Sequence, residues 1–248
     1  MDKRWPLLLL LLAAPALAYR PFDGTDADVA QHGEMELEMS PFGYVNTGAH
    51  AALTVPSLVI NYGFARGFEI VLEGRDTVSL TATSASRIQL EDTALSVKWL
   101  LRRGSLHDGV GPSVAVEASV LLPTTTQLTA GAELAAIVSQ QWRNLTLHLN
   151  VAGVLTRERD AALFVGLIGE GPARWRVRPV SEVYVEQALS STNEVSGLVG
   201  AIWAINDHLA IDFAGRASRI AERTQAATSL EVRAGITWAF AVRRGRGD

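Results

Sequence analysis

The chain has 248 residues, of which 48% are hydrophobic and 19% charged, and its formal net charge is −4 at pH 7. This acidic balance argues against nucleic acid as a partner, because proteins that bind nucleic acids usually carry a basic patch or stripe. Disulfide bonds are excluded, since the chain contains no cysteine. After residue 18, charged or polar residues interrupt every apolar stretch before it reaches the length of about 20 residues that a membrane-spanning helix needs.

The N-terminus has the layout of a secretory signal peptide. Lys3 and Arg4 precede the leucine run Leu7–Leu12, and the small residues Ala16 and Ala18 follow it. A basic start, a short apolar region and a small-x-small exit together predict a cleavable signal at residues 1–18. The alternative interpretation of this segment is an N-terminal membrane anchor. The prediction is therefore that the chain is exported.

The first strand signal is an alternation of period two. Residues 33–39 read Gly-Glu-Met-Glu-Leu-Glu-Met, so that one face of an extended segment is acidic and the other apolar. The last segment, residues 230–243, alternates in the same way, with Val232, Ile236 and Trp238 opposite Glu231 and Arg233. Apolar groups on one face and small or charged groups on the other are typical of a strand between lipid and a lumen.

The same alternation recurs between these two ends. It is clear in residues 67–75, 91–102, 112–122, 143–155, 180–188 and 207–217, and weaker in 53–63, 131–141, 161–169 and 196–205. Together with the terminal segments this makes about twelve strands, an even number as expected of a bacterial single-chain barrel. The polar stretches 75–87 and 217–228 are predicted to be longer loops. Trp99, Trp142, Trp175, Trp203 and Trp238 fall near predicted strand ends, where aromatic girdles lie.

These patterns predict an all-β fold, a closed antiparallel transmembrane β-barrel over residues 19–248. It has a short polar N-terminal lead at residues 19–32 and a basic tail at residues 243–248. The first strand should pair with the last, because only closure removes free sheet edges in lipid. A soluble β-sandwich is the competing architecture, but such folds usually have about seven strands in about 100 residues.

Three segments resemble the phenol-degradation meta-pathway family of outer-membrane proteins, β-barrels often labelled as transporters. They are residues 20–30 with Gly33-Glu34, residues 55–64 with Phe68-Glu69, and residues 235–240. The resemblance implies an outer-membrane barrel with a transport role and supplies no catalytic residues. One departure is that eight residues rich in arginine follow Phe240, whereas outer-membrane barrels commonly end on an aromatic residue.

The inward phase of the predicted strands defines a set of candidate lumen-lining residues. They are Glu34, Glu36, Glu38, Glu69, Glu73, Lys98, Arg102, Glu117, Glu133, His148, Glu182, Glu186, His208, Asp212, Arg216, Glu231 and Arg233. One interpretation is a channel whose charged wall selects solutes. The other is a narrow barrel filled and plugged by paired charges.

No motif indicates a catalytic site, a metal site or a cofactor. The histidines lack the spacing of metal-ligand pairs. His208 and Asp212 are four residues apart and therefore lie on one face of a strand. An outer-membrane hydrolase would also need a serine nucleophile within reach of this pair. An enzyme is the least favoured alternative. The sequence thus predicts a non-enzymatic pore or passive transporter for an unidentified small solute in the bacterial outer membrane. Its expected partners are outer-membrane lipid and the barrel assembly machinery.

Overall fold

The computed structural model describes residues 20–48, 50–81, 87–189, 192–222 and 225–242. These residues form the strands β1 (Glu34–Thr47), β2 (His50–Ala65), β3 (Phe68–Ser79), β4 (Ile88–Arg102), β5 (Ser113–Leu121), β6 (Gly131–Gln141), β7 (Thr146–Leu155), β8 (Ala161–Glu170), β9 (Val177–Ala188), β10 (Thr192–Asn206), β11 (Leu209–Glu222) and β12 (Ala226–Ala241). A 3₁₀ helix spans Ser105–His107. Among these described residues, no helix is both long and apolar enough to cross a membrane. The predicted signal peptide and basic tail lie outside the described residues.

The twelve strands form one closed antiparallel barrel in which each strand pairs with its neighbours in the chain. Closure is made by β1 and β12, whose register runs from Glu34 opposite Ala241 to Thr47 opposite Ser229. A closed sheet has no unpaired edge, because every strand finds a hydrogen-bonding partner on both sides. The predicted architecture, with about twelve strands and the first paired to the last, is confirmed.

Several strands extend further than the sequence pattern predicted. β3 continues to Ser79 and β11 to Glu222, so residues 75–79 and 217–222, which were expected to lie in long loops, are strand. The prediction of loops there was wrong because it relied on polar composition. Polar residues keep the ladder intact, as in the pair Thr77 opposite Gln89, and threonine is a favourable strand residue.

Side chains alternate between a polar interior and an apolar exterior. In β9, Glu182 and Tyr184 are buried inside the barrel, whereas the exposed fractions of Val183 and Val185 are 57% and 46%. The same phase holds in β7, where Thr146, His148 and Asn150 are buried and alternate with the half-buried Leu147 and the exposed Leu149. This distribution is the reverse of that in a water-soluble protein and is typical of a barrel surrounded by lipid.

The tryptophans among the described residues lie at one end of the barrel. We call the end where β1 begins and β12 ends the terminal end, and the opposite end the distal end. All lie within three residues of a strand end on the terminal side, with exposed fractions between 47% and 53%: Trp99, Trp142, Trp175, Trp203 and Trp238. Phe68 stacks on Trp99 with ring centroids 5.5 Å apart. Indole rings at this level match the aromatic girdle of a membrane–water interface.

The exterior phase can be tested at Val232, which projects outward from the middle of β12. Val232→Arg is expected to destabilise the barrel in lipid vesicles by about 2–4 kcal/mol, because it places a charge near the bilayer midplane. The matched control is Val110→Arg, in the loop between β4 and β5, where valine is 91% exposed. Urea unfolding in vesicles measures both variants, and an equal cost at the two positions would contradict a lipid-facing exterior.

Candidate functional site

The residues that precede β1 lie inside the barrel. We call residues 20–32 the lumen segment. Ala27 is completely buried, and Phe22 and Ala30 have exposed fractions of 9% and 2%. Phe22 packs in one cluster with interior residues of β8, β9, β10 and β11, including Ile168 and Leu198. The polar lead expected at this position is thus an interior element that fills part of the lumen.

Backbone hydrogen bonds hold the lumen segment across the barrel. Its N–H groups donate to side-chain oxygens of four strands, β3, β6, β7 and β9: Ala30 to Glu69 (2.6 Å), Ala27 to Ser139 (2.8 Å), Thr25 to Asn150 (3.0 Å) and Gly24 to Glu182 (2.8 Å). A buried backbone N–H without a partner is costly, so an irregular segment needs such acceptors. The interior side chains therefore act as the binding surface for this segment.

The carboxylate of Asp23 is the centre of an ion cluster. Its two oxygens lie 3.1 Å from Arg216 Nη1 and 2.9 Å from Arg233 Nη1. Arg216 also pairs with Glu182, and Arg233 with Glu231 at 2.7 Å. We call these five residues the central ion cluster. It links the lumen segment to β9, β11 and β12.

Two further ion pairs attach the lumen segment at its sides. Arg20 lies 3.4 Å from Asp212, and Lys98 Nζ lies 3.5 Å from Asp26 and 4.0 Å from Glu69. Buried charges are tolerated when they are paired and hydrogen-bonded. The segment and the barrel wall thus neutralise part of each other's charge.

The aspartates Asp23 and Asp26 have carboxyl groups with opposite pKa shifts. Burial acts to raise the pKa of Asp23, but Arg233 and Arg216 outweigh it and lower the pKa below its ordinary value. For Asp26, burial raises the pKa, and Lys98 offsets this effect only in part. The difference follows from the number of cations in reach of each carboxylate. Asp23 is therefore the firmer of the two electrostatic anchors.

A chamber of about 660 Å³ lies between the lumen segment and the distal part of the wall. Its wall is rich in carboxylates: Glu36, Glu38, Glu69, Glu73, Glu117, Glu133 and Glu186. Toward the terminal end, Ser113, Ser139 and Ile168 are completely buried against the lumen segment and its surroundings. The lumen is thus packed around Ser113, Ser139 and Ile168, and an acidic chamber lies beside the lumen segment.

The structure places most of the predicted lumen-lining residues on the interior face. Nine of them border the chamber: Glu36, Glu38, Glu69, Glu73, Lys98, Glu117, Glu133, Glu186 and Arg233. His148, Glu182, Asp212, Arg216 and Glu231 also face inward but are engaged in the polar contacts around the lumen segment. Glu34 lies at the terminal rim and accepts a 3.3 Å hydrogen bond from Gln31 N.

Two of the predicted lumen residues lie elsewhere. Arg102 ends β4 just after a register shift, and its exposed side chain donates to the carbonyl of Val110 at 3.0 Å. His208 lies in the exposed turn before β11, which begins at Leu209. The inward assignment was wrong at both positions because the alternation of faces does not continue beyond a regular strand.

A serine, a histidine and a glutamate do come together, although not at His208. Ser139 Oγ lies 2.8 Å from His148 Nδ1, and His148 Nε2 lies 3.5 Å from Glu170, which also pairs with Arg178 at 3.1 Å. Ser139 is completely buried beneath Ala27 of the lumen segment, and the triplet does not border the chamber. A nucleophile needs a place for its substrate, so this arrangement supports a structural network. In the described part of the chain, no group of three or more His, Asp or Glu side chains is arranged to hold a metal ion.

No protein-family model matches the sequence, and no curated protein is significantly similar to it. Solved structures share its fold. An outer membrane channel from Pseudomonas putida F1 has a TM-score of 0.63 at 9% identity, covering 88% of this chain and 100% of that one. The KdgM porin in complex with disordered oligogalacturonate has a TM-score of 0.56 at 11% identity, and the match covers 83% of this chain and 99% of that one. The NanC porin has a TM-score of 0.55 at 7% identity, and the match covers 82% of this chain and 98% of that one. The chain therefore has the fold of porins and outer-membrane channels.

The central ion cluster should dominate the stability of the interior. Arg216→Ala leaves Glu182 buried without its cation and removes one of the two partners of Asp23, so we expect a loss of about 3–5 kcal/mol. Arg219→Ala is the matched control, because Arg219 lies on the same strand with an exposed side chain. Urea unfolding of both variants in detergent micelles measures the difference. Equal stabilities would mean that the cluster contributes no net stabilisation.

Proposed function

We propose that this protein is an outer-membrane channel for small solutes, and that the lumen segment closes the channel in the described conformation. The observation that carries the proposal is a polar interior enclosed by an apolar exterior, with a chamber of about 660 Å³ bounded on one side by residues 20–32. Ligand-binding cavities of proteins have similar volumes, about 300–1,000 Å³. A segment that enters the lumen as an extension of β1 is suited to controlling passage.

The comparison structures support this proposal through their shared fold, since they are described as porins and channels. The KdgM complex contains oligogalacturonate, a polyanion, whereas the chamber of this chain is lined by carboxylates. Like charges repel, so a different solute class is favoured here. Export by the signal at residues 1–18, insertion by the barrel assembly machinery and contact with outer-membrane lipid belong to the same proposal. Membership of the phenol-degradation meta-pathway family stays a prediction.

A second candidate is a non-conducting barrel with a structural or interaction role. The contacts of Asp23 with Arg216 and Arg233 favour it, because they attach the lumen segment firmly to the wall. On this view the chamber is a blind cavity and the loops carry the function. Both candidates predict the same fold and differ in whether ions ever cross the barrel.

Single-channel recording in a planar bilayer distinguishes the two candidates. Deletion of residues 20–32 should raise the conductance several-fold, because it removes the element that fills part of the lumen. A cysteine pair provides a reversible version of the experiment, since the natural chain has no cysteine. Ala27→Cys with Ser139→Cys should form a disulfide, given that Ala27 N and Ser139 Oγ are 2.8 Å apart.

The oxidised double variant should be silent, and reduction should restore openings like those of the wild type. Ala27→Cys alone is the control and should not respond to oxidation. If the wild type and the deletion variant are both silent while correctly folded, the channel is refuted and the non-conducting barrel is favoured. If oxidation leaves conductance unchanged, ions pass without any movement of the lumen segment.

A further inference from the structure

The charges that border the chamber do not balance locally. Five of its carboxylates, Glu36, Glu73, Glu117, Glu133 and Glu186, have no described cationic side chain within 4 Å. They are supplied by β1, β3, β5, β6 and β9, so the excess of negative charge surrounds the chamber. Carboxylates that converge on a confined space repel one another and attract a cation.

The cations that border the chamber are already engaged with other groups. Arg20 pairs with Asp212 (3.4 Å), Arg75 with Asp92 (2.8 Å), Lys98 with Asp26 (3.5 Å) and Arg233 with Asp23 (2.9 Å). Arg157 donates to the backbone carbonyls of Leu122 and Thr93, both at 2.7 Å. Among the described residues, none of these cations lies within 4 Å of the five carboxylates, and the nearest relation is that of Lys98, which is opposite Glu117 in the register of β4 and β5.

Glu36 shows the imbalance most clearly. Its exposed fraction is only 5%, yet its Oε1 atom has no hydrogen-bond partner among the described residues. Glu36 borders the chamber, and Glu38, the next inward residue of β1, is also a carboxylate, already hydrogen-bonded by Asn61 at 2.8 Å. A buried carboxylate without a donor is costly and calls for a bound group. The Oε1 atom of Glu36 thus lacks a hydrogen-bond donor, which a bound group in the chamber would supply.

The chamber also offers an aromatic surface beside its acidic wall. Phe164 of β8 and Tyr184 of β9 both border it, with ring centroids 5.2 Å apart. Phe164 lies directly opposite Glu186 in the register of these two strands. Tyr184 already accepts the guanidinium of Arg216 over its ring at 4.9 Å. Aromatic faces attract both apolar groups and cations.

We propose that the chamber binds a small organic ammonium compound, whose charge is held by the unpaired carboxylates and whose apolar body packs against Phe164. The inference names the solute class of the proposed channel and in that sense rests on it. A bare metal ion fits less well, because no group of acidic or histidine side chains in the described residues has the arrangement of a metal site. An ammonium group instead donates three hydrogen bonds, which suits carboxylates that come from several strands.

Isothermal titration calorimetry of the full-length purified protein in detergent tests this inference. The probe is benzylammonium, compared with benzyl alcohol and benzoate, which have the same ring and differ in charge. Benzylammonium should bind about tenfold more tightly than benzyl alcohol, and benzoate should not bind. Its affinity should fall as the salt concentration rises, since salt screens the carboxylates. Equal binding of the alcohol, or no binding of benzylammonium, would overturn the proposal, as would binding of Mg²⁺ or Na⁺ alone.

Matched variants locate the site. Glu36→Gln and Glu133→Gln should each weaken benzylammonium binding about tenfold, whereas Glu34→Gln should leave it unchanged. Glu34 is on the same strand as Glu36 but lies at the rim, outside the chamber. Thermal unfolding of the ligand-free proteins verifies folding, and Glu36→Gln should be at least as stable as the wild type because it removes an unpaired buried charge. Unchanged affinity in both chamber variants would refute the site.

Binding and conductance are separate measurements, so the two proposals can fail independently. A protein that binds benzylammonium but never conducts would refute the channel and leave this inference standing. A protein that conducts but does not bind benzylammonium would refute the inference and leave the channel standing.

Discussion

A strand surrounded by an apolar medium must pair all of its backbone N–H and C=O groups, because no water is present to replace a missing partner. In this chain the pairing of β1 with β12 completes that requirement. The other features depend on it. Once the sheet is closed, each strand has one face toward the apolar exterior and one toward an enclosed lumen. The polar side chains of twelve strands are thereby gathered into a small volume.

The lumen segment provides hydrogen-bond and ion-pair partners for part of these concentrated polar groups. Interior oxygens such as those of Glu69, Ser139 and Glu182 accept hydrogen bonds from its backbone, and Asp23 gives Arg216 and Arg233 a second carboxylate partner each. The compensation is uneven across the lumen. It adds negative charge to the arginines of β11 and β12 but leaves five carboxylates of the chamber without an ion pair among the described residues. The same element therefore stabilises the packed part of the lumen and borders the acidic chamber.

The strands could be predicted from sequence because their signal is local. In β9, Glu182, Tyr184 and Glu186 alternate with Val183 and Val185, and this alternation alone assigns both faces. The lumen segment has no such signal. Its partners are distant, as in the contact between Asp23 and Glu182, which are 159 residues apart in the chain. The available clue was the three aspartates of this segment, whose charge is opposite to that of the predicted lumen cations, but a charge pattern does not say which residues are close in space. The errors at Arg102 and His208 arose for a related reason, since strand limits depend on register.

The tryptophans give the protein an intrinsic fluorescence that comes from one end of the barrel. All indoles of the described chain lie at the terminal end, each about half-exposed, and none at the distal end. Indole emission depends on the polarity of its surroundings, so the intrinsic fluorescence of the folded protein reports on a single leaflet of the surrounding membrane. A quencher confined to one leaflet would then reveal which way the inserted barrel points, without any attached label.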